Sequence, residues 1–156
     1  MGTGVLVELG RVGRLRFPPA LWDAMIRHVE SCLPEEGCGL VGGTDGTAQV
    51  VLPVENAAHS PVRFRMEPQA QYDAMMQLEA AGQEILAIFH SHPSGPDHPS
   101  ETDEREFAYP DSAVLIFSPA AEGWRMRAFA AVEGQGFLEL DWEVLPETQP
   151  GGKIGV

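Results

Sequence analysis

Five consecutive apolar residues, Ile85, Leu86, Ala87, Ile88 and Phe89, run straight into His90-Ser91-His92 and then into Pro93-Ser94-Gly95-Pro96; no other stretch of the chain restricts its fold so sharply. An unbroken apolar run of this length, closed by turn formers, is the pattern of a buried strand. Side chains two apart on a strand point to the same face, so the rings of His90 and His92 aim together at its end. The Pro/Gly-rich stretch must be a loop, and Ser100-Glu101-Thr102-Asp103 reads as the start of a helix that brings Asp103 back toward the imidazoles. Two His and one carboxylate leave a coordination position for water, as in catalytic rather than structural zinc sites. A plainer reading stands beside this one. Ser-x-x-Asp is also a capping box, with Ser100 as N-cap and Asp103 at the third helical position. The two readings are compatible, since a cap residue can also face a metal.

The order His90-x-His92, seven residues, Ser100, two residues, Asp103 resembles, without a gap, the signature of the JAMM or MPN-plus metallopeptidases. That family also carries an upstream Glu two residues before a Cys-Gly or similar small pair opening an apolar strand. In Glu35-Glu36-Gly37-Cys38-Gly39-Leu40 the resemblance selects Glu36 over Glu35. Residues 54–64 are similar to the stretch that follows in compact bacterial members, and the likeness covers about residues 14 to 132. It implies an α/β fold with a central mixed β-sheet flanked by helices, a cytidine-deaminase-like architecture. It implies one zinc ion per chain on His90, His92 and Asp103, with Glu36 as general base and Ser100 as oxyanion donor. It further implies hydrolysis of a peptide or isopeptide bond after the C-terminal Gly-Gly of a ubiquitin-like or sulfur-carrier protein. Such a tail would be laid along a sheet edge by strand addition, between walls around residues 54–64 and His98. Three alternatives stay open: a metal-free MPN scaffold that only binds proteins, a mononuclear iron oxygenase, and a RadC-like protein, which shares His-x-His-Pro-Ser-Gly but carries a further N-terminal domain.

Composition sets bounds on these readings. A chain of 156 residues, 44% hydrophobic, suits one domain that buries roughly 70% of its unfolded surface. We expect residues 1–145 to form that domain and residues 146–156, rich in turn formers, to form a flexible tail. The net charge of -13, from 10 basic against 23 acidic residues, argues against a nucleic-acid partner. Cys32 and Cys38 have neither disulfide-framework nor Cys-x-x-Cys spacing, so a reducing cytoplasm is the expected compartment. No apolar stretch approaches the length of a membrane span, and no signal-type core opens the chain.

Along the chain, residues 12–17 read as a short strand. Pro18-Pro19 opens a helix whose Trp22, Met25, Ile26, Val29 and Leu33 recur at helical spacing, with His28 off that stripe and exposed. Residues 39–43 and 49–54 read as a hairpin around Asp45-Gly46, and residues 62–66 as a further strand. Residues 68–81 read as a second helix, ended by Gly82 with Ala74, Met75 and Leu78 inward. Strands over 85–92, 113–117, 124–132 and 137–144 complete the expected sheet.

Overall fold

A computed structural model describes residues 5–147 of the chain. It opens with a helix, α1 (Val5–Val12), where the sequence suggested the start of a strand, and only Leu15–Phe17 forms β1. Gly13 explains the switch: at a φ of 98° it occupies the left-handed region, and its N–H caps the helix by donating to the Leu9 carbonyl at 2.7 Å. Helix α2 (Pro19–Cys32) starts where a proline at its first position costs no hydrogen bond. Its Met25 and Val29 are buried, with Trp22 and Ile26 packed against them. Leu33 lies beyond the last helical residue and is exposed. His28, expected on the solvent side, is half-buried, its ring edge-on to Phe89 at 6.1 Å.

Strands β2 (Cys38–Thr44) and β3 (Thr47–Val54) form the expected hairpin. Asp45 and Gly46 both have positive φ, 53° and 77°, as the primed turn requires. Residues 62–66 do not form a strand; a single bridge, Asn56 to Met66, is all the pairing there. Helix α3 (Pro68–Ala80) begins where the Glu67 carboxylate accepts from the amides of Ala70 and Gln69, and it buries Ala74 and Leu78. Then come β4 (Glu84–Ser91), α4 (Glu101–Glu106), β5 (Ala113–Pro119) and β6 (Trp124–Val132). The last expected strand is two, β7 (Gly136–Leu140) and β8 (Trp142–Val144), divided at Asp141.

The eight strands form one mixed sheet in the order β7-β6-β5-β4-β2-β3-β1-β8. The β4–β5, β1–β3 and β1–β8 pairs are parallel and the others antiparallel. Because β7 and β8 stand at opposite ends of this order yet are joined through Asp141 alone, the sheet must curl until its edges meet, nearly closing a barrel. Strand β4 lies at its centre. Phe89 packs with Phe17, Met25, Val29, Leu115 and Phe117 on the side of α1 and α2, whereas Ile88 packs with Leu40, Val54, Met66 and Leu78 on the side of α3. His90, two residues beyond Ile88, therefore faces the α3 side. Of the expected tail, Pro146 and Glu147 carry no regular structure, and residues 148–156 lie outside the described residues.

Candidate metal centre

The β2–β4 register places Cys38 opposite His90, so Glu36, two residues before Cys38, comes alongside the imidazole. Ser91 fixes that approach from within the strand: its hydroxyl accepts from the Gly37 amide at 2.8 Å, and its own amide donates to the Gly37 carbonyl at 3.0 Å. Glu36 Oε1 then lies 3.5 Å from His90 Nδ1. The other edge of the His90 ring faces α4, with Nε2 3.9 Å from Asp103 Oδ2. His92 Nε2 lies 3.1 Å from the same oxygen, and the two imidazole centroids are 5.0 Å apart. His92 Nδ1 is 2.7 Å from the Pro96 carbonyl, an acceptor; that nitrogen must donate, which leaves Nε2, on the Asp103 side, as the nitrogen that could hold a metal.

Asp103 is held by the capping box that the spacing suggested. Its Oδ2 accepts from the Ser100 amide at 2.8 Å, while the Ser100 hydroxyl accepts from the Asp103 amide at 3.0 Å. The hydroxyl proton of Ser100 is thus not consumed by the cap. Burial raises the Asp103 pKa, but the His92 contact, the His90 charge and the Ser100 amide outweigh it and bring it to about 2. The group is a carboxylate at neutrality. Cys38 is the opposite case. Burial, with Cys32 and Glu36 nearby, pushes its thiol up to about 12, and the Sγ donates to the Val54 carbonyl, so it offers no thiolate.

Glu36, His90 and His92 are 2%, 1% and 4% exposed. Each offers a ligand atom within 4.8 Å of the others, and Asp103 touches both imidazoles. Glu36 Oε1 and His90 Nδ1 are buried with no hydrogen-bond partner. Leaving such groups unpaired costs several kcal/mol, at least about 1–3 for each polar atom, so their convergence needs a reason beyond stability. A divalent cation is one. Tetrahedral zinc with bonds of about 2.0–2.1 Å holds its ligand atoms roughly 3.3 Å apart, and the observed 3.1 and 3.9 Å lie to either side of that value.

A cleft of about 220 Å³ opens from this centre, lined among others by Phe64, Ile88, His90, Asp103, Phe107 and Phe137. Of the walls suggested by sequence, Phe64 is present and stacks on His90 at 4.4 Å, whereas His98 is exposed and meets Asp97 instead. The sequence reading gave Asn56 and Phe64 no role of their own beyond their place in the stretch 54–64, and it assigned none to Ser91, whose one signal was its position inside His-x-His.

The chain matches the family described as prokaryotic homologs of the JAB domain over residues 18–131. It belongs to that family. It is 29% identical over 133 residues to the CysO-cysteine peptidase of Mycobacterium tuberculosis, covering 83% of this chain and 91% of that one. It is 34% identical over 114 residues to the desampylase of Haloferax volcanii, covering 68% and 81%. A probable TtuB-protein conjugate cleaving protease of Thermus thermophilus is 34% identical over 122 residues, covering 78% of each. Among solved structures, a Desulfitobacterium hafniense protein superposes with a TM-score of 0.76 at 30% identity, covering 85% of this chain and 94% of that one. A JAB1/MPN domain protein of Archaeoglobus fulgidus superposes at 0.56 and 17%, covering 85% and 98%, a likeness of fold. This JAB/MPN-fold chain is accordingly a hydrolase of the peptidase and isopeptidase class. No helix among the described residues is long and apolar enough to cross a membrane.

Proposed function

We propose that the chain is a zinc-dependent hydrolase that cuts a peptide or isopeptide bond after the C-terminal Gly-Gly of a ubiquitin-like or sulfur-carrier protein, acting in the cytoplasm. The observation that carries this reading is the buried convergence of Glu36, His90, His92 and Asp103 with two polar atoms left unpartnered. His90, His92 and Asp103 hold one zinc ion, since Asp103 Oδ2 is the oxygen near Nε2 of both rings. Glu36, with an oxygen within 4.8 Å of a ring nitrogen of each imidazole, is near enough to bond a water on the metal and serves as the base. Bound zinc supplies a Lewis acid and lowers the pKa of water to about 7. Glu36 takes a proton from the attacking water and hands it to the departing amine. Ser100 donates its free hydroxyl proton to the developing oxyanion while its oxygen keeps the cap.

The substrate class rests on the relatives, which are named as a CysO-cysteine peptidase, a desampylase and a probable TtuB-protein conjugate cleaving protease. It also rests on the segment beside His90. Arg63 and Arg65 spend backbone groups on Asn56 and Ala57 while Phe64 between them stacks on His90, so a tail laid along this segment would pass the imidazole. Glycines carry no side chain to clash there. A scaffold that never bound metal would have no use for two buried imidazoles gathered with two carboxylates.

The test is the purified protein, assayed by mass spectrometry against the host's Gly-Gly-ended carriers, each extended by one residue or linked to lysine. We expect near-stoichiometric zinc by elemental analysis and a cut after the second glycine, impaired more by a bulky residue at either glycine than by changes beyond the bond. Stoichiometric iron with oxygen-dependent turnover, or no cleavage of any carrier by zinc-loaded protein, would overturn the reading.

A further inference from the structure

Asn56 lies outside the metal-binding motif, yet it is buried and has all four of its side-chain hydrogen-bonding positions filled. Its Nδ2 donates to the carbonyls of Glu36 and Arg63, each at 3.1 Å. Its Oδ1 accepts from the amides of Ala58 and Arg65, each at 3.0 Å. A flipped amide would set donors against donors and acceptors against acceptors, so the network itself fixes the orientation. Two segments remote in sequence are thereby joined: the main chain of Glu36, and the irregular residues 57–65. The Glu36 amide adds a second tie, donating to the Ser60 carbonyl at 2.9 Å. Phe64, carried between Arg63 and Arg65, stacks on His90 with ring planes 24° apart.

The Glu36 carboxylate has little anchorage of its own. Its Oε1 lacks a hydrogen-bond partner, and His90 Nδ1 lies 3.5 Å away. Its direction is therefore inherited from its backbone, and its backbone is held by Asn56 and Ser60. We propose that Asn56 is a positioning residue: it sets Glu36 against His90 and keeps the Phe64 segment over the imidazole, a role that rests on the reading of Glu36 as the base. Misplacing a catalytic group by about 1 Å costs on the order of 100-fold in rate, so a side chain that never touches substrate can govern turnover.

Asn56→Asp is the discriminating variant. It keeps the shape and the acceptor for Ala58 and Arg65, but turns an acceptor toward the Glu36 and Arg63 carbonyls. Native-state hydrogen exchange of Asn56→Asp should show faster exchange at the Glu36 amide, with the amides of Phe89 and Leu115 as protected as in the unsubstituted protein. A uniform acceleration, or unchanged protection at Glu36, would overturn the proposal. In turnover, Asn56→Asp and Asn56→Ala should each lower kcat about 10- to 100-fold per zinc-loaded molecule, and less than about threefold when added to Glu36→Gln, as expected of residues acting through one another. Losses that multiply would refute positioning through Glu36. Should Glu36→Gln itself leave carrier cleavage intact, the base assignment falls, and the exchange pattern still decides whether Asn56 holds the Glu36 backbone.

Discussion

Glu35 and Glu36 are chain neighbours in opposite environments. Glu35 reaches solvent and pairs with His59 at 3.2 Å, while Glu36 is enclosed beside His90. Glu36→Gln should retain zinc yet lose on the order of 10²- to 10⁴-fold in turnover, the usual share of general acid-base catalysis, and Glu35→Gln should do little. Steady-state kinetics with parallel elemental analysis checks this; the reverse pattern would shift the motif by one residue. Asp103→Ala should release metal, because the carboxylate shared by both imidazoles disappears. Circular dichroism should show the sheet intact, the structural losses being one side of the α4 cap and the contact to His92. Ser100→Ala removes the reciprocal half of that cap, a cost of about 1 kcal/mol, and should also lower kcat with little change in KM. Stability loss alone would mean that Ser100 is a cap and nothing more. Cys38, with its pKa raised to about 12, stays a protonated thiol. In the folded protein at pH 8 it should resist iodoacetamide, which mass spectrometry after digestion would read.

At the scale of elements, β2 and β4 make the site by their register. Gly39 pairs with Phe89, and a Cβ built on Gly39 would stand 2.5 Å from the Phe89 ring and 2.7 Å from the Leu52 carbonyl. Gly39→Ala should therefore destabilise the fold by about 1–3 kcal/mol, the usual cost of overpacking, and lower the thermal midpoint. A variant of native stability would mean that the β2–β4 pair has room for a methyl group at this position. Helix α4 contributes only its first turn to the centre, and the irregular residues 57–65 contribute Phe64. The expected strand over residues 62–66 is missing because backbone groups that a ladder would use are taken by the Asn56 side chain.

Across the whole molecule, the two apolar clusters on either side of β4 are built without the four site residues. Removing metal with a chelator should thus abolish turnover and leave a folded protein. Restoring zinc at a thousandfold excess over its dissociation constant should add about 4 kcal/mol to stability, seen as a raised melting temperature; unfolding on chelation would instead make the metal structural. Local sequence was enough to place His90, His92, Ser100 and Asp103 on a strand end and a helix start, since strand alternation and capping are short-range and leave a readable spacing. Strand β6, helix α2 and the Asp45-Gly46 hairpin were legible on the same grounds. What the sequence could not carry were the contacts made across long separations. The division of residues 136–144 into two strands follows from closing the sheet on itself. The half-burial of His28 follows from Phe89 lying against it. The hold of Asn56 on Glu36 spans twenty positions. An asparagine after a strand looks like any turn residue until the chain has folded around its amide, because hydrogen-bond partners are chosen by proximity in space, which only the tertiary structure supplies.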